Sequence, residues 1–170
     1  LLRFNRIQGL GKMDEYWSSW EAWFAQVEES HSTLPMLVFF RSPRGDQSWI
    51  TAGGTVLDAA ALTLSALDLP PSAAASLCLR AGFLSFRRIA ENFNLTFPQD
   101  PHFPETPISI DEREFMTVLD RLEKAGIPLK EDRAQAWQNF AGWRVNYDHT
   151  LIALSRMVMA PSGFWSSDRY

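Results

Sequence analysis

The stretch WITAGGTVLDAAALTLSAL, residues 49–67, decides the fold because it is apolar on nearly every face of the helix that it predicts. A helix that is hydrophobic all round is typical of the centre of a protein. Gly53 and Gly54 each cost about 1 kcal/mol relative to alanine inside a helix, so we expect them to serve the close approach of a neighbouring helix. Asp58 is the charged residue of this stretch. The sequence therefore predicts a central helix that other helices surround.

The residues before this helix, RSPRGDQS at 41–48, predict a turn followed by a helix start. Pro43 and Gly45 are typical turn residues, and Asp46 or Ser48 can accept the free amide hydrogens of the first helical turn. The Arg-Gly-Asp tripeptide is interpreted as a chance match within the turn. Because neither GxGxxG nor GxxxxGK[ST] occurs in the chain, no nucleotide-phosphate site is predicted here.

Helical periodicity continues through most of the chain. We predict a helix that begins at residue 13 and is bent or ended by HSTLP at 31–35. Further helices are predicted over 72–93, 109–126 and 131–159. The run MLVFF at 36–40 fits a helix or a strand, and its surroundings favour a helix. Ser109 and Glu112 would form a capping box, and Gly126 would end the helix that they open. The last helix would present one apolar side made of Trp137, Phe140, Tyr147, Leu151, Leu154 and Val158.

These elements predict an all-α fold, a compact bundle of five or six helices in a single domain, and 170 residues is a common domain size. We expect residues 1–12 to be a linker from an upstream region, 13–160 the helical domain, and 161–170 a C-terminal tail. The loop NLTFPQDPHFPETP at 94–107 is predicted to lie over the surface, anchored by Phe97 and Phe103.

Charge and hydropathy exclude several classes of function. A net charge of −4 without clustered Lys or Arg argues against a nucleic-acid surface. The longest apolar candidate for a membrane span, residues 51–69, is interrupted by Asp58, so no span is predicted. His31, His102, His149 and the lone Cys78 lack metal-ligand spacing, and neither a metal nor a cofactor is expected.

Four charged residues lie on otherwise apolar helix faces, and they are Asp58, Arg80, Arg144 and Asp148. Arg144 and Asp148 are one helical turn apart. Because a buried unpaired charge is very unfavourable, we expect the four to pair in a network that ties three helices together. A ligand or partner site built from the same residues is the alternative. No catalytic residue is predicted, since Asp148 and its neighbour His149 would point about 100° apart on a helix.

Four strings resemble the cytosolic C-terminal region of bacterial two-transmembrane potassium-channel-like (ion channel) proteins. They are FRSPRGDQSWITAGGTVLDAAAL, LCLRAGFLSFRRIAENF, AWQNFAGWRVNYDHTL and APSGFWSSDR, and the likeness covers residues 17–169. In those proteins such a region follows a small transmembrane pore. The resemblance implies a regulatory or assembly domain without catalysis of its own, at the cytoplasmic side of the bacterial inner membrane. It carries over no catalytic or ligand residues.

The resemblance also implies partners. The first residue is Leu1 rather than methionine, and we expect two membrane-spanning helices and a potassium filter upstream of it. The basic residues Arg3, Arg6 and Lys12 fit the cytoplasmic flank of such a span. Pores of this kind contain several subunits, so a homo-oligomer is expected, helped by the tryptophans of the first helix. The alternative is a soluble small-molecule-binding domain or enzyme that uses the Asp58/Arg80/Arg144/Asp148 cluster.

Overall fold

The structure of the chain is a computed structural model that describes residues 1–40, 48–161, 163 and 165. These residues form seven α-helices and two 3-10 helices, and the predicted single-domain all-α fold is confirmed. The α-helices are α1 (Leu2–Arg6), α2 (Met13–Thr33), α3 (Trp49–Ser65), α4 (Ala73–Asn92), α5 (Glu112–Lys124), α6 (Arg133–Arg144) and α7 (Asp148–Met157). The 3-10 helices are Leu10–Lys12 and Pro35–Phe39, and the second confirms the helix expected around 36–40.

The apolar stretch at 49–67 forms the central helix α3, which packs against α2, α4, α6 and α7. Side chains from two different helices pack against its two glycines. A Cβ added at Gly53 would lie 2.7 Å from the Phe86 ring of α4, and one added at Gly54 would lie 2.8 Å from Leu151 of α7. The expected close approach at these glycines is therefore confirmed.

Helix α2 lies along α4 over most of its length. Gly82 of α4 is the tightest part of this interface, because a Cβ added there would lie 2.8 Å from the Phe24 ring of α2 and would overlap Leu57 of α3. Ser85, one turn further along α4, donates its hydroxyl to the Phe24 carbonyl oxygen at 3.1 Å. A small residue on α4 thus lets three helices meet around one aromatic ring.

The predicted single helix over 131–159 is wrong, because the chain leaves the helical path between α6 and α7. The Asn146 side-chain amide donates to the Gly142 and Trp143 carbonyl oxygens at 3.0 and 3.2 Å. These carbonyls lie at the C-terminal end of α6, where the helix leaves acceptors without intrahelical partners. Asn146 therefore stabilises a helix end at a position without proline or glycine.

The capping box of α5 is shifted by two residues from the prediction. The Asp111 carboxylate accepts from the Glu114 amide at 2.8 Å, and the Glu114 carboxylate accepts from the Asp111 amide at 2.9 Å. The predicted pair Ser109 and Glu112 is wrong because the Ser109 side chain binds Asp148 instead. The predicted end of this helix is confirmed, since Gly126 follows it with a φ of 75°.

Residues 1–12, expected to be a linker, contain α1 and the 3-10 helix Leu10–Lys12 and pack on the core. The Asn5 side-chain amide donates to the Ala125 carbonyl oxygen at 2.6 Å, which ties α1 to the end of α5. The seven α-helices of the described residues outnumber the predicted five or six, because residues 1–12 contain α1 and the predicted last helix divides into α6 and α7.

The proline-rich loop lies over the surface as predicted. Phe97 is buried, and the Phe103 ring packs edge-on against Trp137 with their centroids 5.7 Å apart. The predicted turn at 41–46, including the Asp46 cap, lies outside the described residues. Ser48 is the N-cap residue of α3, but its side chain makes no capping hydrogen bond.

Replacing Gly82 tests the close packing of α2, α3 and α4. We expect Gly82→Ala to lower the free energy of unfolding by about 1–3 kcal/mol, because the added methyl group overpacks the core. The matched control is Gly142→Ala on α6, where nothing lies within 4 Å of the added Cβ. There we expect a gain of about 0.5–1 kcal/mol from helix propensity. Urea unfolding measures both, and equal effects of the two substitutions would contradict the packing described.

Candidate functional site

Arg144, the last residue of α6, is the centre of a buried hydrogen-bond network. Its side chain is fully buried, and Nε, Nη1 and Nη2 each donate a hydrogen bond. Nε donates to Asp148 Oδ1 at 2.7 Å, and Nη1 donates to Asp58 Oδ1 at 2.5 Å. Nη2 donates to the Trp165 carbonyl oxygen at 2.7 Å. One guanidinium group therefore joins α3, α6, α7 and the chain near residue 165.

Each of the two carboxylates has further donors. The Ser109 amide and hydroxyl donate to Asp148 Oδ2 and Oδ1 at 2.9 and 2.7 Å, which fixes the end of the proline-rich loop to α7. The Tyr147 hydroxyl donates to Asp58 Oδ1 at 2.8 Å. The Tyr147 ring also lies 5.0 Å from the Arg144 guanidinium carbon, a cation–π contact.

Burial and charge compete within the network. Burial alone would lower the pKa of Arg144, but Asp58 and Asp148 outweigh it and raise that pKa. Burial raises the pKa of Asp58, and the opposing attraction of Arg144 is smaller. Burial also raises the pKa of Tyr147, so its hydroxyl stays protonated and donates. Two carboxylates face one guanidinium group, which leaves the ionised network with an excess negative charge.

Asp58 is the less completely paired of the two carboxylates. Its Oδ1 accepts from both Arg144 and Tyr147. Its Oδ2 is buried and has no hydrogen-bond partner in the described structure. An unpaired buried polar atom of this kind costs about 1–3 kcal/mol, so Oδ2 is an unfilled acceptor at the edge of the network.

The prediction of a buried network is right for Asp58, Arg144 and Asp148 and wrong for Arg80. Arg80 is exposed because α4 turns Cys78, Leu79 and Gly82 inward, and residue 80 lies outside that face. Sequence reasoning also missed other members of the network. The sequence predicts Tyr147 only as a residue of an apolar helix side and Ser109 only as a helix cap, and a backbone carbonyl such as that of Trp165 leaves no sequence signal.

The remaining candidate residues are separate from each other. His31 is buried at the end of α2, and its ring lies 4.7 Å from that of Trp49. His102 and His149 are exposed. The Asp148 carboxylate binds Arg144 and Ser109 and has no bond to His149. Within the described ranges, no group of three or more His, Cys, Asp or Glu could hold a metal ion.

Cys78 is fully buried on α4. Burial raises the pKa of its thiol to about 12. The nucleophilic form of cysteine is the thiolate, so this side chain is a protonated packing residue near neutral pH.

A pocket of about 690 Å³ opens beside the network. Helices α1, α2, α3 and α5 and residue 165 form its walls, which are mainly apolar and include Phe4, Tyr16, Trp17, Leu62, Val118 and Trp165. Asp58 also lines this pocket, as do the exposed arginines Arg3 and Arg121. Ligand sites in proteins are commonly apolar concavities of this size with a few polar groups.

Among the helices that the structure describes, none has the length and apolar character needed to cross a membrane. Comparisons of the chain with protein-family models, curated protein sequences and solved structures give no match.

Substitution of Arg144 tests the network. We expect Arg144→Met to lower the free energy of unfolding by about 3–5 kcal/mol, because two buried carboxylates lose their cation. Asp58→Asn should cost less, since the amide still accepts from Tyr147 and Arg144. The measurement is urea unfolding followed by tryptophan fluorescence.

The matched control is Arg133→Met. Arg133 also binds two carboxylates, Asp120 and Glu123, at 2.7 and 2.9 Å, but at the surface. Exposed ion pairs contribute little to stability, so we expect a much smaller loss than at Arg144. Similar losses for the two arginines would refute the stabilising role of the buried network.

Proposed function

We propose that this chain is a cytosolic regulatory or assembly domain of a bacterial potassium-channel-like membrane protein, without catalysis of its own. The observation that carries the proposal is where the four resembling strings lie in the fold. They cover most of α3, most of α4, most of α6, the first turn of α7 and the segment that contains Trp165. The resemblance thus concerns the elements that build the core.

The charge network gives this argument more weight. Asp58 lies in the first string, Arg144 and Asp148 lie in the third, and Trp165 lies in the fourth. These residues bind each other in the folded chain. A resemblance that includes Asp58, Arg144, Asp148 and Trp165 supports a shared helical scaffold more than a coincidence of surface residues would.

The competing proposal, a soluble enzyme or binding domain built on Asp58, Arg80, Arg144 and Asp148, has less support. Arg80 is exposed and outside the network. The Arg144 guanidinium and the Asp148 carboxylate are buried and bound to protein groups. A reacting group must be able to contact substrate, and of these four only Asp58 has a buried polar atom left unpaired beside a pocket.

The membrane proposal predicts the sequence that precedes Leu1. We expect the native reading frame to encode two apolar helices of about 20 residues each upstream, flanking a potassium filter built of backbone carbonyls. The full protein in liposomes should then pass potassium, and deletion of residues 13–160 should change its open probability or its assembly. A reading frame without two such helices would eliminate the proposal.

The potassium-flux measurement needs a control in which the domain is destabilised but not deleted. Arg144→Met serves this purpose in the full protein, because it destabilises the domain and keeps the chain at full length. We expect this variant to resemble the deletion, whereas Arg133→Met should resemble the wild type. Equal flux in all four proteins would show that the domain has no role in gating or assembly.

The homo-oligomer expected from the resemblance has one supporting observation near the end of α2. Met36 and Phe40 are 75% and 68% exposed, and Leu34 and Phe39 are also exposed. Trp17 is fully buried, so the tryptophan stripe itself is mainly internal packing. Contiguous exposed apolar side chains are typical of protein interaction surfaces.

Light scattering at micromolar concentration tests self-association of this chain. We expect a mass above the 19.4 kDa of one chain, and we expect Met36→Glu to shift the equilibrium toward the monomer, because a charge at an apolar contact is unfavourable. Leu77→Glu is the control, since Leu77 is 52% exposed on α4. A monomer in the wild type, or an equal effect of both substitutions, would contradict association through residues 34–40.

A further inference from the structure

Two exposed arginines in the wall of the pocket have no acidic partner. Arg3 on α1 and Arg121 in the last turn of α5 both line the pocket. Neither forms an ion pair with another residue of the described ranges. Asp58 is the one acid among the described residues of the wall, but it is buried and its Oδ1 is bound by Arg144 and Tyr147. The charges that a ligand in this pocket can approach are therefore positive.

The elements that carry the two arginines are joined by a hydrogen bond. The Asn5 side-chain amide of α1 donates to the Ala125 carbonyl oxygen at 2.6 Å. The Ala125 amide donates in turn to the Arg121 carbonyl oxygen at 3.3 Å. Arg3 comes two residues before Asn5, so both arginines lie within about one helical turn of the bond that joins α1 to α5. One ligand at this side of the pocket can then be attracted by both positive charges.

The rest of the wall accepts an apolar group. Most of its residues are apolar, and they include Phe4, Leu62 and Val118 from three different helices. The volume of about 690 Å³ is typical of sites that enclose a small organic ligand. Transfer of an apolar tail from water to such a wall is favourable. The pocket therefore combines a cationic edge with an apolar interior, which is the complement of an amphiphilic anion.

The charges also restrict the headgroup of the ligand. A guanidinium group forms strong charge-assisted hydrogen bonds with carboxylate oxygens, whereas an ammonium headgroup would be repelled by both arginines. The Asp58/Arg144/Asp148 network beside the pocket has an excess of negative charge when it is ionised. A singly charged anion is therefore favoured over a doubly charged one, and a carboxylate has the required charge near neutral pH.

We propose that this pocket binds an amphiphilic carboxylate, such as a fatty acid, with its carboxylate at Arg3 and Arg121 and its apolar tail along the wall of the pocket. The proposal goes beyond the channel assignment and does not depend on it. Because the ligand would contact α1 and α5 together, its binding would add to the single hydrogen bond between Asn5 and Ala125 that joins these helices.

The first test compares octanoate, octan-1-ol and octylammonium, which share one tail and differ in headgroup. Their affinities for the chain are measured by titration followed with NMR chemical shifts. We expect octanoate to bind at least about tenfold more tightly than octylammonium, since the arginines attract one and repel the other. Added salt should weaken octanoate binding, because exposed charges are screened, and should not weaken octanol binding. Absence of octanoate binding, a tighter octylammonium complex, or octanoate binding that is insensitive to salt overturns the proposal.

The second test assigns the headgroup to the two arginines. In the double variant Arg3→Gln/Arg121→Gln we expect the affinity of octanoate relative to octanol to fall by about fivefold, because two exposed ion pairs of modest strength are lost. The matched control is Arg6→Gln/Arg113→Gln. Arg6 and Arg113 are exposed on the same two helices and outside the lining of the pocket, so this variant has the same net charge and should keep the wild-type ratio. A ratio that stays unchanged in the first variant, or falls equally in both, overturns the assignment.

The third test locates the tail. Ala59 of α3 is a half-buried residue of the pocket wall, so Ala59→Phe should fill the cavity and weaken octanoate and octanol by at least about tenfold. Ala52 is exposed on the same helix and outside the lining, and Ala52→Phe should bind both probes like the wild type. Circular dichroism establishes that the variants are folded. Wild-type affinity in folded Ala59→Phe would place the ligand outside this pocket and overturn the proposal.

Discussion

The burial of the Arg144 guanidinium group is the constraint on which the other contacts depend. A cation without access to water requires anionic and carbonyl partners on several sides, and here they come from α3, α7 and residue 165. Moving any one of these elements outward would leave one nitrogen atom of the buried guanidinium group without its acceptor. The apolar core supplies most of the free energy of folding, while Arg144 restricts how α3, α6 and α7 can be arranged around it.

Small residues complement this polar constraint. Gly53, Gly54 and Gly82 each occupy a place where a Cβ would meet a side chain of another helix. Leucine and phenylalanine side chains therefore insert where these helices carry no side chain of their own, and α3 can be surrounded on several faces. Such packing tolerates little change in volume. The glycines and the arginine thus restrict the same helices, one through shape and the other through charge.

The sequence predicts the all-α fold and three members of the network for definite reasons. Charged residues on apolar faces must pair when buried, which identifies Asp58, Arg144 and Asp148. The same reasoning misplaced Arg80, because the width of a buried helix face depends on which neighbours cover it. The sequence does not predict the break between α6 and α7, because Asn146 ends α6 through side-chain hydrogen bonds and not through a proline or glycine. The pocket beside Asp58 is formed by α1, α2, α3 and α5 together with residue 165, and local sequence patterns contain no information on how these elements meet.

The break between α6 and α7 also has an electrostatic consequence. Arg144 lies in the last turn of α6 and Asp148 in the first turn of α7. The C-terminal end of a helix carries partial negative charge and the N-terminal end partial positive charge, each worth about 0.3–1 kcal/mol to a suitable side chain. The arginine and the aspartate each occupy the helix end that favours their charge. In one continuous helix both would lie in its interior and lose this stabilisation, so the interruption itself lowers the free energy of burying the ion pair.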